Sequence, residues 1–164
     1  MLLSIIIPVF NEESNIDLCI ESICKVNFPC NVEYIIIDDG STDNSWEHIK
    51  KAKSKISNNI ITFKQQQNLG KGAAIHKGLT AASGNIVTIQ DADLELDPNE
   101  LVQLIQPLIE SKADVVFGSR FHKGRFQVHR TYHYLANRFL TFLSNIFSNL
   151  YLSDMETCYK VMNL

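Results

Sequence analysis

Gly84-Asn-Ile-Val-Thr-Ile-Gln-Asp-Ala-Asp-Leu-Glu-Leu-Asp-Pro98 is the stretch from which the rest of the chain is read. The run Ile86, Val87, Thr88, Ile89 predicts a buried strand. Asp97, Pro98 and Glu100 then read as a helix start: N-cap, first helical position and closing member of a capping box. Between strand and helix lie Asp91, Asp93 and Glu95, spaced two apart. On an extended segment that period sends three carboxylates to one side, where they repel one another unless a cation joins them. Mg2+ or Mn2+ suits such oxygen ligands and commonly shares its shell with substrate phosphates. The C-terminal edge of an open α/β sheet is also where ligands bind. A solvated acidic loop ahead of a helix is the plain alternative.

Outward from this unit, strands and helices alternate. Residues 3–9 predict a buried strand stopped by Pro8. Asn11 is placed to cap a helix with Glu12 and Glu13 in its first turn and Ile16, Cys19, Ile20, Ile23 and Cys24 as its buried stripe. A β-rich run at 32–37 ends in Asp38-Asp39-Gly40-Ser41-Thr42-Asp43, where turn and cap chemistry is the simplest use of Asp38, Ser41 and Asp43. A helix over 45–53 carries a solvated lysine face, and residues 60–64 form a short strand. A Gly-Ala-rich helix spans 70–82. The helix after Pro98 buries Leu101, Val102, Leu104, Ile105, Leu108 and Ile109 and is kinked or shortened by Pro107. Residues 113–118 are a further strand. This order predicts one α/β domain over 1–164, a mostly parallel sheet with helices on both faces.

Composition agrees. A chain of 164 residues, 45% apolar and 20% charged, can bury a core, typically roughly 70% of its unfolded surface. No Asp or Glu falls between Val115 and Ser153, where Arg120, Lys123, Arg125, Arg130 and Arg138 lie. Setting those five cations against the formal net charge of −3 leaves the remainder at −8. An acidic part facing a basic segment suits a site that holds a metal together with anionic groups. Cys19, Cys24, Cys30 and Cys158 show no C-x-x-C spacing, so reduced thiols in a cytoplasmic protein are expected. The N-terminus lacks the basic region of a signal peptide. Gly70-Lys71-Gly72 imitates a dinucleotide fingerprint, but Ile75 holds the third glycine position and the motif follows the third strand. Its small residues instead let the helix approach the sheet, with Lys71 free to meet a phosphate.

Six motifs in order then carry a resemblance. They are Ser4-Ile-Ile-Ile-Pro-Val-Phe-Asn-Glu12, Ile37-Asp-Asp-Gly-Ser-Thr-Asp43, Asn68-Leu-Gly-Lys-Gly72, Gln90-Asp-Ala-Asp93, Asp114-Val-Val-Phe-Gly-Ser-Arg120 and Asp154-Met-Glu-Thr-Cys-Tyr-Lys160. Together they resemble the family-2 glycosyltransferases, nearest to the dolichyl-phosphate mannose synthase-like, polyprenyl-phosphate branch. The resemblance implies a GT-A (Rossmann-like) fold, a GDP- or UDP-sugar donor, Mg2+ or Mn2+, and inverting transfer of a hexose. By position, Pro8, Phe10, Glu12, Ile37 and Asp39 would line the nucleotide pocket, Asp39 accepting a base N–H. Asp91-Ala92-Asp93 would be the metal motif, touching ribose and diphosphate. Glu95 stands where close relatives often carry Gln and is a candidate third ligand. Arg120 would donate a bidentate fork to phosphate. The family's domain continues beyond the point where this sequence stops, so a fragment, a homo-oligomer or a completing partner is expected.

The acceptor side is read from the basic segment. Residues 121–130 combine cations with Phe121, Phe126, His122 and His129, which suits a loop closing on an anionic acceptor. The helix behind it sets Leu135, Phe139, Leu143, Ile146 and Leu150 against Asn137, Arg138, Thr141, Asn145 and Ser148. It is amphipathic and too polar to span a bilayer. It is therefore either a core helix or an interfacial one, lying at the cytoplasmic face of a membrane. A polyprenyl-phosphate acceptor is already ionised and needs no strong base. A saccharide hydroxyl needs one, with Asp154 or Glu156 as candidates. No nucleic-acid partner is expected. A nucleotide-sugar-binding or assembly domain without turnover is the reading from another class.

Overall fold

In a computed structural model, residues 1–56, 59–119, 131–155, 157 and 159–164 are described, without the side chains of 131 and 133. The strands are β1 (Leu2–Val9), β2 (Asn31–Asp38), β3 (Ile60–Lys64), β4 (Ile86–Ile89), β5 (Val115–Phe117) and β6 (Lys160–Asn163). The helices are α1 (Ile16–Cys24), α2 (Ser45–Ile56), α3 (Lys71–Ala81), α4 (Glu100–Ile109) and α5 (Thr131–Ser148). Among the described residues the strands form one sheet in the order β3-β2-β1-β4-β6-β5. β1 to β4 are mutually parallel, and β6 runs antiparallel to both β4 and β5.

Residue alternation along β1 builds two cores. Leu3, Ile5, Ile7 and Val9 face the layer of α1, α2 and α4, whose Ile20, Ile49 and Ile105 are fully buried. Ile6 faces the other way and packs with Ile35, Ile37, Val87 and Ala74 of α3. Small residues admit α3 to the sheet, as the sequence predicts. A Cβ built on Gly78 would lie 2.5 Å from Ile6 Cγ2. At the sheet edge away from the strand C-termini, the buried Glu33 ties three segments together. Its Oε1 accepts from Ser4 Oγ (2.5 Å) and Ser83 N (2.7 Å), and its Oε2 from Ser83 Oγ (2.8 Å).

Several expected boundaries move, each for a physical reason. β1 continues through Pro8 to Val9. Gln90 N donates to Ile6 O, so Ile6 turns its backbone polar groups toward β4. Pro8, two residues on, turns the same way where β4 has already ended opposite Ile6, so no ladder bond is lost. Asn11 does not cap α1. It takes φ 54°, and its Oδ1 accepts from Thr42 N at 2.9 Å instead. Glu12 and Glu13 consequently precede the helix. Asp97 caps the turn ahead of the next helix rather than the helix itself, whose N-cap position is Asn99: Asp97 Oδ1 accepts from Asn99 N at 3.0 Å. The first turn there is tight, with Glu100 N on Asp97 O and Leu101 N on Pro98 O, before α4 proper begins.

The C-terminal half departs further. No strand is read from the sequence after residue 118, yet β6 inserts between β4 and β5. α5 is not a core helix with its apolar stripe inward. Of its polar side, Asn137 (4% exposed) and Thr141 (5%) are buried and Arg138 and Ser148 are exposed, while Leu135 (59%), Phe139 (60%) and Ile146 (58%) of the apolar stripe are open. The neighbouring 152–155 segment explains this, because its backbone needs partners. Leu152 N donates to Asn145 Oδ1, Asn145 Nδ2 donates to Leu152 O, and Met155 N donates to Thr141 Oγ1. Among the described residues, no helix is long and apolar enough to cross a membrane.

Candidate active site

The strand order reverses about β1: β2 and β3 lie to one side, β4 to the other. In such sheets the crevice beyond the strand C-termini at that reversal is where ligands sit. A cavity of about 260 Å³ opens there. The end of β1 contributes Pro8, Phe10 and Glu12, the end of β2 contributes Asp39, and α3 opens on it with Lys71. Asp91, Ala92 and Asp93, just past β4, close the other side.

Two loops are sewn together along the rim. Asn11 N donates to Ser41 Oγ (3.0 Å), Glu12 N to Ser45 Oγ (2.8 Å) and Glu13 N to Asp43 Oδ2 (3.1 Å). Asp38 Oδ1 accepts from Ser41 N, and Asp43 Oδ1 from Ser45 N. The turn and cap roles read for Asp38, Ser41 and Asp43 are therefore what these side chains do. Gly40 sits among them at φ 72°, and a Cβ there would meet Gln67 backbone carbon at 2.5 Å. Only glycine lets the 38–43 and 65–70 loops touch in this way.

Asp39 is almost fully buried, at 2% exposure. Its Oδ1 accepts from Gln65 Nε2 (2.5 Å) and Leu69 N (3.0 Å), which leaves Oδ2 without a donor among the described residues. Lys71 Nζ lies 2.5 Å from Asp91 Oδ1. Asp91 O accepts from Gln90 Nε2 at 3.0 Å and from the Cys19 thiol at 3.7 Å. Burial, and then the negative charges of Asp93 and Asp91, push that thiol up to about 12, so it stays protonated beneath the acidic motif.

Not every expected residue reaches the cavity. Ile37 is fully buried in the core on the α3 side. Glu95 is exposed and not among the lining residues, because the segment turns where an extended chain was expected. Leu94 takes φ 62°, and Glu95 N donates to Asp93 Oδ1 at 3.1 Å. Accordingly, no group of three His, Cys, Asp or Glu side chains gathers to hold a metal among the described residues. Asp154 is 1% exposed and away from the cavity, its Oδ1 accepting from Asn137 Nδ2 at 3.2 Å. Arg120, Glu156 and the basic stretch 121–130 lie outside the described residues. Asn68, to which the sequence assigns no site role, also lines the cavity. Its Oδ1 accepts from Gly70 N at 2.8 Å, and an Asn two residues before a glycine that starts a helix is the signal that marks it.

A model of glycosyl transferase family 2 matches residues 4–163. The chain belongs to this family. Among family-2 relatives, the dolichol-phosphate mannosyltransferase of Pyrococcus furiosus is 32% identical over 124 residues, 76% of this chain and 34% of its own length. The undecaprenyl-phosphate 4-deoxy-4-formamido-L-arabinose transferase of Yersinia enterocolitica is 36% identical over 123 residues, 73% of this chain and 37% of its own. The chain thus spans little more than a third of the length of these relatives. Glucosyl-3-phosphoglycerate synthase from Mycobacterium tuberculosis, solved with Mn2+, UDP and glucosyl-3-phosphoglycerate, superposes with a TM-score of 0.72 at 22% identity, over 98% of this chain and 56% of that one. That likeness concerns the fold, which is GT-A as the family resemblance implied.

Proposed function

We propose that this family-2 chain is the donor-binding part of a metal-dependent, inverting glycosyltransferase that moves a hexose from a GDP- or UDP-sugar to a polyprenyl phosphate. The observation that carries this is the grouping of Asp39, Lys71, Asp91 and Asp93 around one cavity at the reversal point of the sheet. Asp39 Oδ2 is free to accept a base N–H, and Pro8 and Phe10 supply apolar wall beside it. Lys71 can turn from Asp91 to a diphosphate. The donor set fits Mg2+ or Mn2+: two carboxylates at an open cavity, completed by diphosphate oxygens and water, is how these ions are usually held. When bound, the ion neutralises charge on the departing diphosphate. Arg120 would add its guanidinium to the same phosphates, as the resemblance implies.

The burial of Asp154 against Asn137 speaks against one of the two bases that a saccharide hydroxyl would call on, the other, Glu156, lying outside the described residues. A lipid phosphate oxygen is ionised at neutral pH and needs no base to take a proton. The open apolar side of α5 supports the same acceptor. With no Asp or Glu between Val115 and Ser153, that side suits an anionic bilayer at the cytoplasmic face. Relatives whose names specify dolichol or undecaprenyl phosphate agree with this.

A thermal-shift panel of UDP- and GDP-sugars with and without Mn2+ tests the donor reading. One base series should raise Tm by roughly 5–10 °C near a hundredfold excess over Kd. Asp93→Asn should lose the Mn2+-dependent part while its own Tm without ligand stays near wild type. A shift unaffected by chelator or by Asp93→Asn would overturn the metal assignment.

A further inference from the structure

Asp91 is held from behind by a relay that begins at the far end of the chain. Gln90 is 1% exposed, and its Nε2 donates to Asp91 O at 3.0 Å. Its Oε1 accepts from the Tyr159 hydroxyl at 2.7 Å, and Tyr159 is 3% exposed. Tyr159 immediately precedes β6 and is itself anchored, Gly118 N donating to its carbonyl at 3.0 Å. Gln90 N is bound to Ile6 O at 2.9 Å, so the start of the acidic motif is tied to β1 as well.

The chemistry of these groups leaves the Gln90 amide one orientation. A flipped amide would set Oε1 against Asp91 O, two acceptors in a buried place. With Nε2 on Asp91 O, the Tyr159 hydroxyl is the donor that Oε1 requires. Burial pushes the Tyr159 phenol far above its ordinary range, ahead of the charge on Glu100, so its proton is always present to donate. Cys19, from α1, supplies a second donor to Asp91 O.

We propose that Tyr159 and Gln90 are positioning residues for the metal: they set the backbone at Asp91, and with it the carboxylate that the ion needs. This rests on the donor-and-metal reading above. Groups that orient a metal ligand from outside its shell typically change metal affinity by about 10–100-fold when removed. Tyr159 does not line the cavity, and its hydroxyl bonds Gln90, so it acts through Gln90.

The test is Mn2+ titration, by calorimetry or by the spin resonance of free Mn2+, in the presence of UDP and in parallel of GDP. Tyr159→Phe should bind Mn2+ about tenfold more weakly than wild type in the nucleotide series that wild type accepts. Nucleotide affinity without metal should be unchanged, a split that a general loss of stability would not produce. Gln90→Met, similar in volume but unable to bond either partner, should show the same split. Equal Mn2+ affinity in wild type and Tyr159→Phe, or equal losses with and without Mn2+, overturns the proposal. Wild type that shows no Mn2+-dependent binding of either nucleotide overturns it together with the donor reading, which separates that failure from a failure of the relay alone.

Discussion

Lys71 Nζ sits 2.5 Å from Asp91 Oδ1, and both residues line the cavity, so an ammonium already partners that carboxylate. The Lys71 side chain is 58% exposed and that of Asp91 19%, so water screens the pair. Such pairs contribute about 0–1 kcal/mol. On the proposed reading, a divalent ion at Asp91 would displace the ammonium, whereas a diphosphate would offer it another anion. Lys71→Met should therefore bind Mn2+ alone about two- to fivefold more tightly and bind nucleotide with Mn2+ more weakly. Calorimetric titration of each reads this, and unchanged Mn2+ affinity would show that the pair does not compete with metal.

The outward apolar side of α5 makes a membrane prediction. The protein should sediment with vesicles containing anionic lipid and less with neutral ones. Each cation near the surface adds roughly 1 kcal/mol, and salt should weaken binding as the Debye length falls from about 10 Å at 0.1 M to about 3 Å at 1 M. Phe139→Ser, at a 60% exposed position, should weaken sedimentation without lowering Tm. Sedimentation unchanged by this substitution would remove α5 from the contact.

Glu33 links folding stability to pH. Burial pushes its carboxyl up, but bonds from Ser4, from Ser83 and from Gly84 N outweigh it, and the net direction is down. A depressed folded-state value means stability that is present above the unfolded value, about 4.3, and lost as pH falls through the folded one. Glu33→Gln should be destabilised at neutral pH, and the Tm gap to wild type should close under acid. A gap that stays constant on acidification would contradict this account.

Gly78→Ala should cost stability, because the added methyl enters the space of Ile6 Cγ2 in a close-packed core. Overpacking of this kind costs about 1–3 kcal/mol, read as a lower denaturant midpoint. Ile6→Val in the same chain should recover part of the loss by shortening the facing side chain.

The alternation of strands and helices, the two-faced sheet and the cavity-lining places of Pro8, Phe10, Glu12, Asp39, Lys71, Asp91 and Asp93 were legible in the sequence. Their signals are local: apolar runs for parallel strands, Asp and Gly where strands end, helical spacing for the stripe of α1. Tertiary structure alone decided the rest. Whether Pro8 ends β1 depends on where β4 stops, and whether Glu95 joins Asp91 and Asp93 depends on the turn at Leu94. The four residues of β6 carry too little periodicity to announce a strand; the open edge of β4 makes them one. Amphipathic spacing in α5 shows that its two sides differ, but only the unpaired backbone of 152–155 determines that the polar one turns inward. Local pattern reports what a segment can bury; what it does bury is set by the partners that distant segments leave unsatisfied.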